Sequence, residues 1–240
     1  MLKIRKLTPR TEFEHYLYSG IPAWYPKGVE VAGENNFCIM NRIRLDQVPQ
    51  ELVSIDQPSR VYDKPNTGAH FYIEDSKFRS VIEKPNLALK KIVGLKCILT
   101  PDITIASELA KYQKISRTSL ARMVGAYFQS RQIVVIPSLR WTSLDDFDFL
   151  LDGIPQGSVF AVSSVGVARN ADDRRLFEAG VMIAIDRLNP VGVMIYGSVT
   201  DEFASEVLSR VTLFRFYTPT SKLVNTHVKE AEPNDLFAYR

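Results

Sequence analysis

Two carboxylates, Asp75 and Asp102, follow directly on short apolar runs, HFYIE (70–74) and KCILT (96–100). An acid at the end of a strand can serve as a general base, as a nucleophile or as a ligand for a divalent cation such as magnesium. Glu74 and Asp75 must point to opposite faces of a strand, so at most one of them turns inward. An inward Asp75 beside Asp102 would form a carboxylate pair able to share a proton or a metal ion. Each acid has a competing role as the cap of the helix that follows, and Ser76 competes with Asp75 for that role. Other runs end in Ser138-Leu139-Arg140-Trp141, in Ser163-Ser164 and in Tyr196-Gly197-Ser198. A guanidinium offers a planar fork to a phosphate, and an indole can stack on a base or sugar or simply cover the core. His70 falls at the start of its run, where a structural role is expected, and His15 and His227 carry no motif.

These residues are positioned by a regular alternation of strands and helices from Gly68 to Tyr217. Strand signals fall at 70–74, 96–100, 133–136, 158–162, 191–196 and 211–216. IVVI (133–136) is apolar without alternation, as for a strand buried on both faces. Between the strands lie helical patterns. Leu120, Met123, Val124, Tyr127 and Phe128 make one apolar stripe at helical spacing. The other side of that helix gathers Arg122, Gly125, Ala126 and Gln129, a face expected to meet protein or ligand. Ser143, Asn170 and Thr200 are expected caps, and Asp172 and Asp173 suit the first turn of a helix dipole. Alternating elements of this kind form parallel βαβ units. The expected fold class is a TIM-like (β/α) barrel, complete or incomplete, with an irregular N-terminal extension. The alternative is an open doubly wound parallel sheet. Three regions are expected: an irregular segment 1–66 packing on the barrel, the repeated β/α core 67–218, and a polar tail 219–240. Phe37–Leu45 is a candidate strand in the first region, and Asp46–Thr67, with three prolines, reads as a long connection. Both folds place ligands at the carboxyl ends of their strands.

Composition narrows the function classes. The chain has 240 residues, 45% hydrophobic and 24% charged, with a net charge of +3. That is an ordinary globular composition whose mild basicity neither demands nor opposes a phosphate-bearing partner. Cys38 and Cys97 are the two cysteines, without neighbours at zinc-ligand spacing. The sequence lacks GxxxxGK[ST], GxGxxG, HExxH, CxxC and GxSxG, so no nicotinamide, flavin or zinc motif is present. No run of 18 apolar residues occurs and the start has no signal-peptide core, which points to the cytoplasm and away from a membrane.

GAHFYIEDSKF, KCILTPD, ARMVGAYFQ with IVVIPSLRW, DGIPQGSVFAVSSVGV and VMIYG occur in that order, after GIPAWYP near Gly20. Together they resemble an uncharacterised family carried by bacteriophages and mobile elements of bacteria, known as a domain of unknown function. The resemblance covers roughly Gly20 to Gly197. It implies that the family's polar positions fall on His70, Asp75, Asp102, Arg122, Gln129, Trp141, Ser163 and Tyr196, with turns at Gly125, Gly166 and Gly197. Met123 stands where an aromatic is more usual, and residues 41–66 depart from the pattern. The resemblance implies an origin on a phage or mobile element, in the host cytoplasm, and supplies no activity.

The leading expectation is an enzyme acting on a nucleotide, nucleic acid or other phosphate-bearing substrate. Asp102 and Asp75 would be catalytic, and Arg122, Gln129, Trp141, Ser163 and Tyr196 would bind substrate. The alternatives are a non-catalytic protein that binds a host or phage protein, or a DNA-binding replication or packaging accessory.

Overall fold

The computed structural model of the chain describes residues 22–58, 61–167 and 170–218. The first 21 residues and the polar tail beyond 218, each named above, lie outside these. The described chain opens with a small antiparallel hairpin, β1 (Val31–Ala32) and β2 (Phe37–Cys38). Seven parallel strands follow: β3 (Glu51–Ser54), β4 (Thr67–His70), β5 (Cys97–Leu99), β6 (Val135–Ile136), β7 (Val159–Ser163), β8 (Gly192–Tyr196) and β9 (Thr212–Phe216). They pair in the order of the sequence, as β3-β4-β5-β6 and β7-β8-β9. The two groups meet through a parallel bridge between Ser138 and Ala161, where the Ala161 and Leu139 amides donate to Pro137 and Ala161 carbonyls at 2.8 and 2.9 Å.

Five helices connect the strands: α1 (Asp75–Glu83), α2 (Pro85–Ile92), α3 (Lys111–Gln129), α4 (Ala171–Leu188) and α5 (Asp201–Leu208). Local chemistry explains their ends. Pro85 opens α2, where a missing amide hydrogen costs nothing. The Asn170 side chain accepts the Asp172 amide hydrogen and the Thr200 side chain that of Phe203. Asn189 takes a left-handed conformation (φ 42°) after α4, just before Pro190. Ser143 also caps as expected, although what it starts is a 3₁₀ turn over Leu144–Asp148.

Strand alternation sorts the core into two sides. Phe160, Val162, Val193 and Ile195 pack outward on Val181, Ile185, Phe203 and Val207 of α4 and α5. Ala69, Phe71, Ile98 and Val135 pack outward on Phe78, Ile92, Val124 and Phe128 of α1–α3. The opposite face carries Leu99, Ile136, Ala161, Met194, Tyr196 and Phe216, and among the described residues no α-helix contributes to it. This face curls on itself. The rings of His70 on β4 and Tyr196 on β8 are 4.4 Å apart, yet three strands separate β4 from β8 in the pairing order. A flat sheet would hold those strands roughly 19 Å apart, at about 4.8 Å per step. No ladder joins β9 to β3 among the described residues, so the parallel sheet is an open one.

The N-terminal segment fills the base of the concave side. Ile43 donates its amide hydrogen to Ser158 Oγ at 2.9 Å and accepts that of Val159 at 3.1 Å. Ile43 and Val48 join the inner cluster. Gly192 begins β8 beneath Leu45, and a Cβ there would meet Leu45 Cδ2 at 3.0 Å.

Three boundaries differ from the sequence reading. The strand expected over 37–45 is confined to β2, Phe37–Cys38, and Leu45 opens a 3₁₀ turn. β3 lies within the stretch that reads as a connection, because Glu51–Ser54 is short, half-exposed and close to Pro49. β4 ends at His70, and Phe71–Glu74 turns into α1. His70 therefore sits at the carboxyl end of its strand.

Candidate functional site

The strand ends converge on one rim. Asp102, three residues past Leu99 of the pair Leu99–Ile136, is buried (8% exposed) and accepts from Arg140 Nη1 at 2.7 Å. Burial pushes the Asp102 carboxyl up to about 6, against the pull of Arg140 and with a small addition from the charge of Asp75. Arg140 itself is 40% exposed.

Beside this ion pair the curled sheet stacks three rings. His70, Tyr72 and Tyr196 lie with centroids 4.4 to 5.6 Å apart. The Tyr72 hydroxyl shares a 2.9 Å hydrogen bond with Ser138 Oγ, and the Ser138 amide donates to Thr100 Oγ1 at 2.8 Å. Burial, with the charge of Asp102 nearby, holds the Tyr72 phenol well above its usual range. His70 Nδ1 accepts the Tyr72 amide hydrogen at 3.1 Å, so the neutral ring carries its proton on Nε2. Burial lowers His70 to about 4.

A cleft of about 330 Å³ opens over Asp102 and Arg140. Trp141, Ser163, Gly166 and Phe177 line it, with Asp173 of α4 at its edge. Trp141 is fixed from behind. Its ring stacks on Phe177 at 5.9 Å and its Nε1 donates to the Leu176 carbonyl at 3.2 Å. Gly180 of α4 lies directly under it, since a Cβ there would land inside the indole. The indole covers the core and shows the cleft its edge.

The remaining sequence candidates scatter. Asp75 is the first residue of α1 and accepts from the Thr104 amide and from Thr104 Oγ1, the latter at 2.9 Å. It clamps the β5–α3 loop and does not line the cleft. Tyr196 belongs to the ring stack. Arg122 is in the middle of α3, 1% exposed, with a single hydrogen bond from Nη2 to the Leu150 carbonyl at 3.1 Å. Gln129 ends α3, about 10 Å further along the axis from Arg122 at 1.5 Å per residue. The small side of α3 meets protein: a Cβ on Gly125 would press on Met40 and on Thr100. Among the described residues no group of three His, Cys, Asp or Glu is placed to hold a metal ion.

Sequence reasoning passed over Lys114 and Tyr72. Lys114 Nζ reaches Asp146 at 3.1 Å and Thr142 Oγ1 at 2.7 Å, and both charges are buried. Asp146 also accepts the Thr142 and Ser143 amides at 2.8 and 3.1 Å, so this pair anchors the loop that carries Arg140 and Trp141. A cation four residues before Thr118 and eight before Arg122 was the available signal, since that spacing keeps all three on one helix face. For Tyr72 the signal was hidden by placing it inside a strand.

Comparison with known proteins fits the expected origin. The "Gene 1 protein" of Mycobacterium phage L5 is 36% identical over 156 residues, covering 64% of this chain and 68% of that protein. The "Gene 1 protein" of Mycobacterium phage D29 is 34% identical over 152 residues, covering 62% of this chain and 56% of its own length. No solved structure matches. Residues 34–216, which hold every strand of the parallel sheet, match the model of the domain of unknown function DUF4417. The chain thus belongs to the DUF4417 family, whose relatives include proteins of mycobacteriophages.

Proposed function

We propose that the strand-end cleft is the active site of an enzyme acting on a small phosphate-bearing ligand, a nucleotide being the form that fits best. The observation that carries this reading is the Asp102 carboxyl, buried at the cleft floor and raised to about 6. A carboxyl near that value can take up and release a proton close to neutral pH. In this reading Asp102 is the acid–base group. Arg140 replaces Arg122 as the anion contact, because its guanidinium is half-exposed in the cleft. Leu139, Phe177 and the edge of Trp141 supply an apolar wall for a base or other ring, and Ser163 supplies a hydroxyl. The curled, sequentially paired sheet supports an incomplete (β/α) barrel, the architecture in which such a rim holds the ligand. Work in the host cytoplasm belongs to the same proposal.

A thermal-shift panel of nucleotides and sugar phosphates tests it. A ligand at about 100 times its dissociation constant adds roughly 2.7 kcal/mol, several degrees for a domain of this size. The shift should vanish in Arg140→Ala. Asp102→Asn should keep binding and lose turnover. No shift by any member of the panel would sink the proposal.

A binding role without turnover is the second reading. It is favoured by the 2.7 Å contact in which Arg140 already satisfies Asp102. A phosphate-bearing ligand, nucleic acid or a host or phage protein is the partner class here. Unaltered ligand binding in both variants, with no conversion of the ligand by wild type, would select it.

A further inference from the structure

A buried polar stripe runs along α3 through Lys114, Thr118 and Arg122, each four residues from the next. Lys114 has its carboxylate in Asp146. The other two lack equivalents. Arg122 Nε and Nη1 and Thr118 Oγ1 have no hydrogen-bond partner among the described residues, although Arg122 is 1% and Thr118 6% exposed. A carbonyl at Leu150 is the only acceptor that the guanidinium reaches. Burying a guanidinium against one carbonyl is costly, since two of its donors go unpaired and the through-space pull of Cys38 and Asp152 falls short of the desolvation.

Both residues line a second, small recess of about 20 Å³. Arg117, Arg140 and Asp102 line it as well, so three guanidinium groups face a single carboxylate. Asp102 is already matched by Arg140. Arg117 spends a donor on the Thr104 carbonyl. The lining is thus cationic and rich in donors. Its volume is of the order that holds one water-sized particle, roughly 10–15 Å³ being the minimum. A water would satisfy some donors but leave the charge.

From the unpartnered Arg122 and Thr118 donors around this small cationic void, we infer a buried binding site for one monoatomic anion of the halide class. The anion accepts from Arg122 and from the Thr118 hydroxyl, and balances a guanidinium that no carboxylate among the described residues reaches by a hydrogen bond. Asp102 and Arg140 line both this recess and the cleft, while Arg122 and Thr118 line the recess and not the cleft. The inference uses neither the ligand nor the turnover assigned to the cleft, so the two stand or fall separately.

The test uses the full chain. Crystals soaked in sodium bromide should show an anomalous peak in the void, within hydrogen-bond reach of Arg122 and Thr118. In solution, sodium chloride should raise the melting temperature by several degrees over sodium gluconate at equal ionic strength, because gluconate is too large to enter. Arg122→Met should abolish that difference. Should that variant not fold, Thr118→Val keeps the charge, removes the hydroxyl and should weaken the chloride response severalfold. A void with no anomalous peak would overturn the inference. So would a bromide peak with equal melting temperatures in the two salts.

Discussion

Asp102 and His70 share one rim and respond to burial in opposite directions. The Asp102 carboxyl rises from 3.8 to about 6 on folding, so its stabilising contribution is present below 3.8 and is lost as pH climbs through about 6. The His70 ring falls from 6.5 to about 4, so its contribution is present above 6.5 and is lost as pH drops through about 4. Each shift corresponds to about 3 kcal/mol at most. In the window between those values the two slopes oppose each other, and wild type should be nearly flat where either group alone would tilt it. Asp102→Asn should therefore lose stability relative to wild type as pH falls from 6.5 to 4. His70→Asn should show the reverse relative slope. Urea midpoints at four pH values across that window measure both, and parallel curves for all three proteins would disprove the opposition.

At the scale of elements, the cleft depends on how the loop after β6 is braced. Lys114 holds it from α3 through Asp146, and Gly180 lets α4 approach the flat of Trp141. Lys114→Ala strands a buried carboxylate and should cost about 3–5 kcal/mol, read from chemical denaturation. Gly180→Ala should cost about 1–3 kcal/mol by forcing the indole out of its place. With Trp24→Phe as background, the emission of Trp141 should then shift to the red, and an unmoved spectrum would refute this packing. Such braces were only partly legible in the sequence. The caps at Asn170 and Thr200 and the strands from Lys96 onward follow from local pattern, because side-chain chemistry there is local. β3 was hidden, since four half-exposed residues near a proline leave no periodicity to detect. His70 was placed at the wrong end of its strand because FYIE has strand composition but turns away after β4. Lys114–Asp146 spans 32 residues, so the helix spacing marks Lys114 while nothing local marks its partner.

The concave side of the sheet has an interior to which, among the described residues, no α-helix contributes a side chain. Its lower part comes from the N-terminal segment, with Ile43 and Val48 seated among Val159, Met194 and Leu99. Ile43→Ala should cost about 2–5 kcal/mol, as for other buried aliphatic truncations. Calorimetry of the full chain would measure it, and a loss under 1 kcal/mol would show the segment to be loosely seated. The alternation of β and α units announced the outer layers of this architecture. It gave no hint of what fills the concave side, because residues 34–48 carry no repeat.

The bond from Ile43 to Ser158 reaches across 115 residues, while the parallel strands pair mostly with the next strand along the chain. Neighbouring units therefore close short loops early, and long loops close late. On the ribosome the segment around Ile43 emerges well before β7 and has no seat until Val159 and Gly192 are made. The part of the protein synthesised near the beginning is the part that must wait, with its apolar side chains uncovered, for the end.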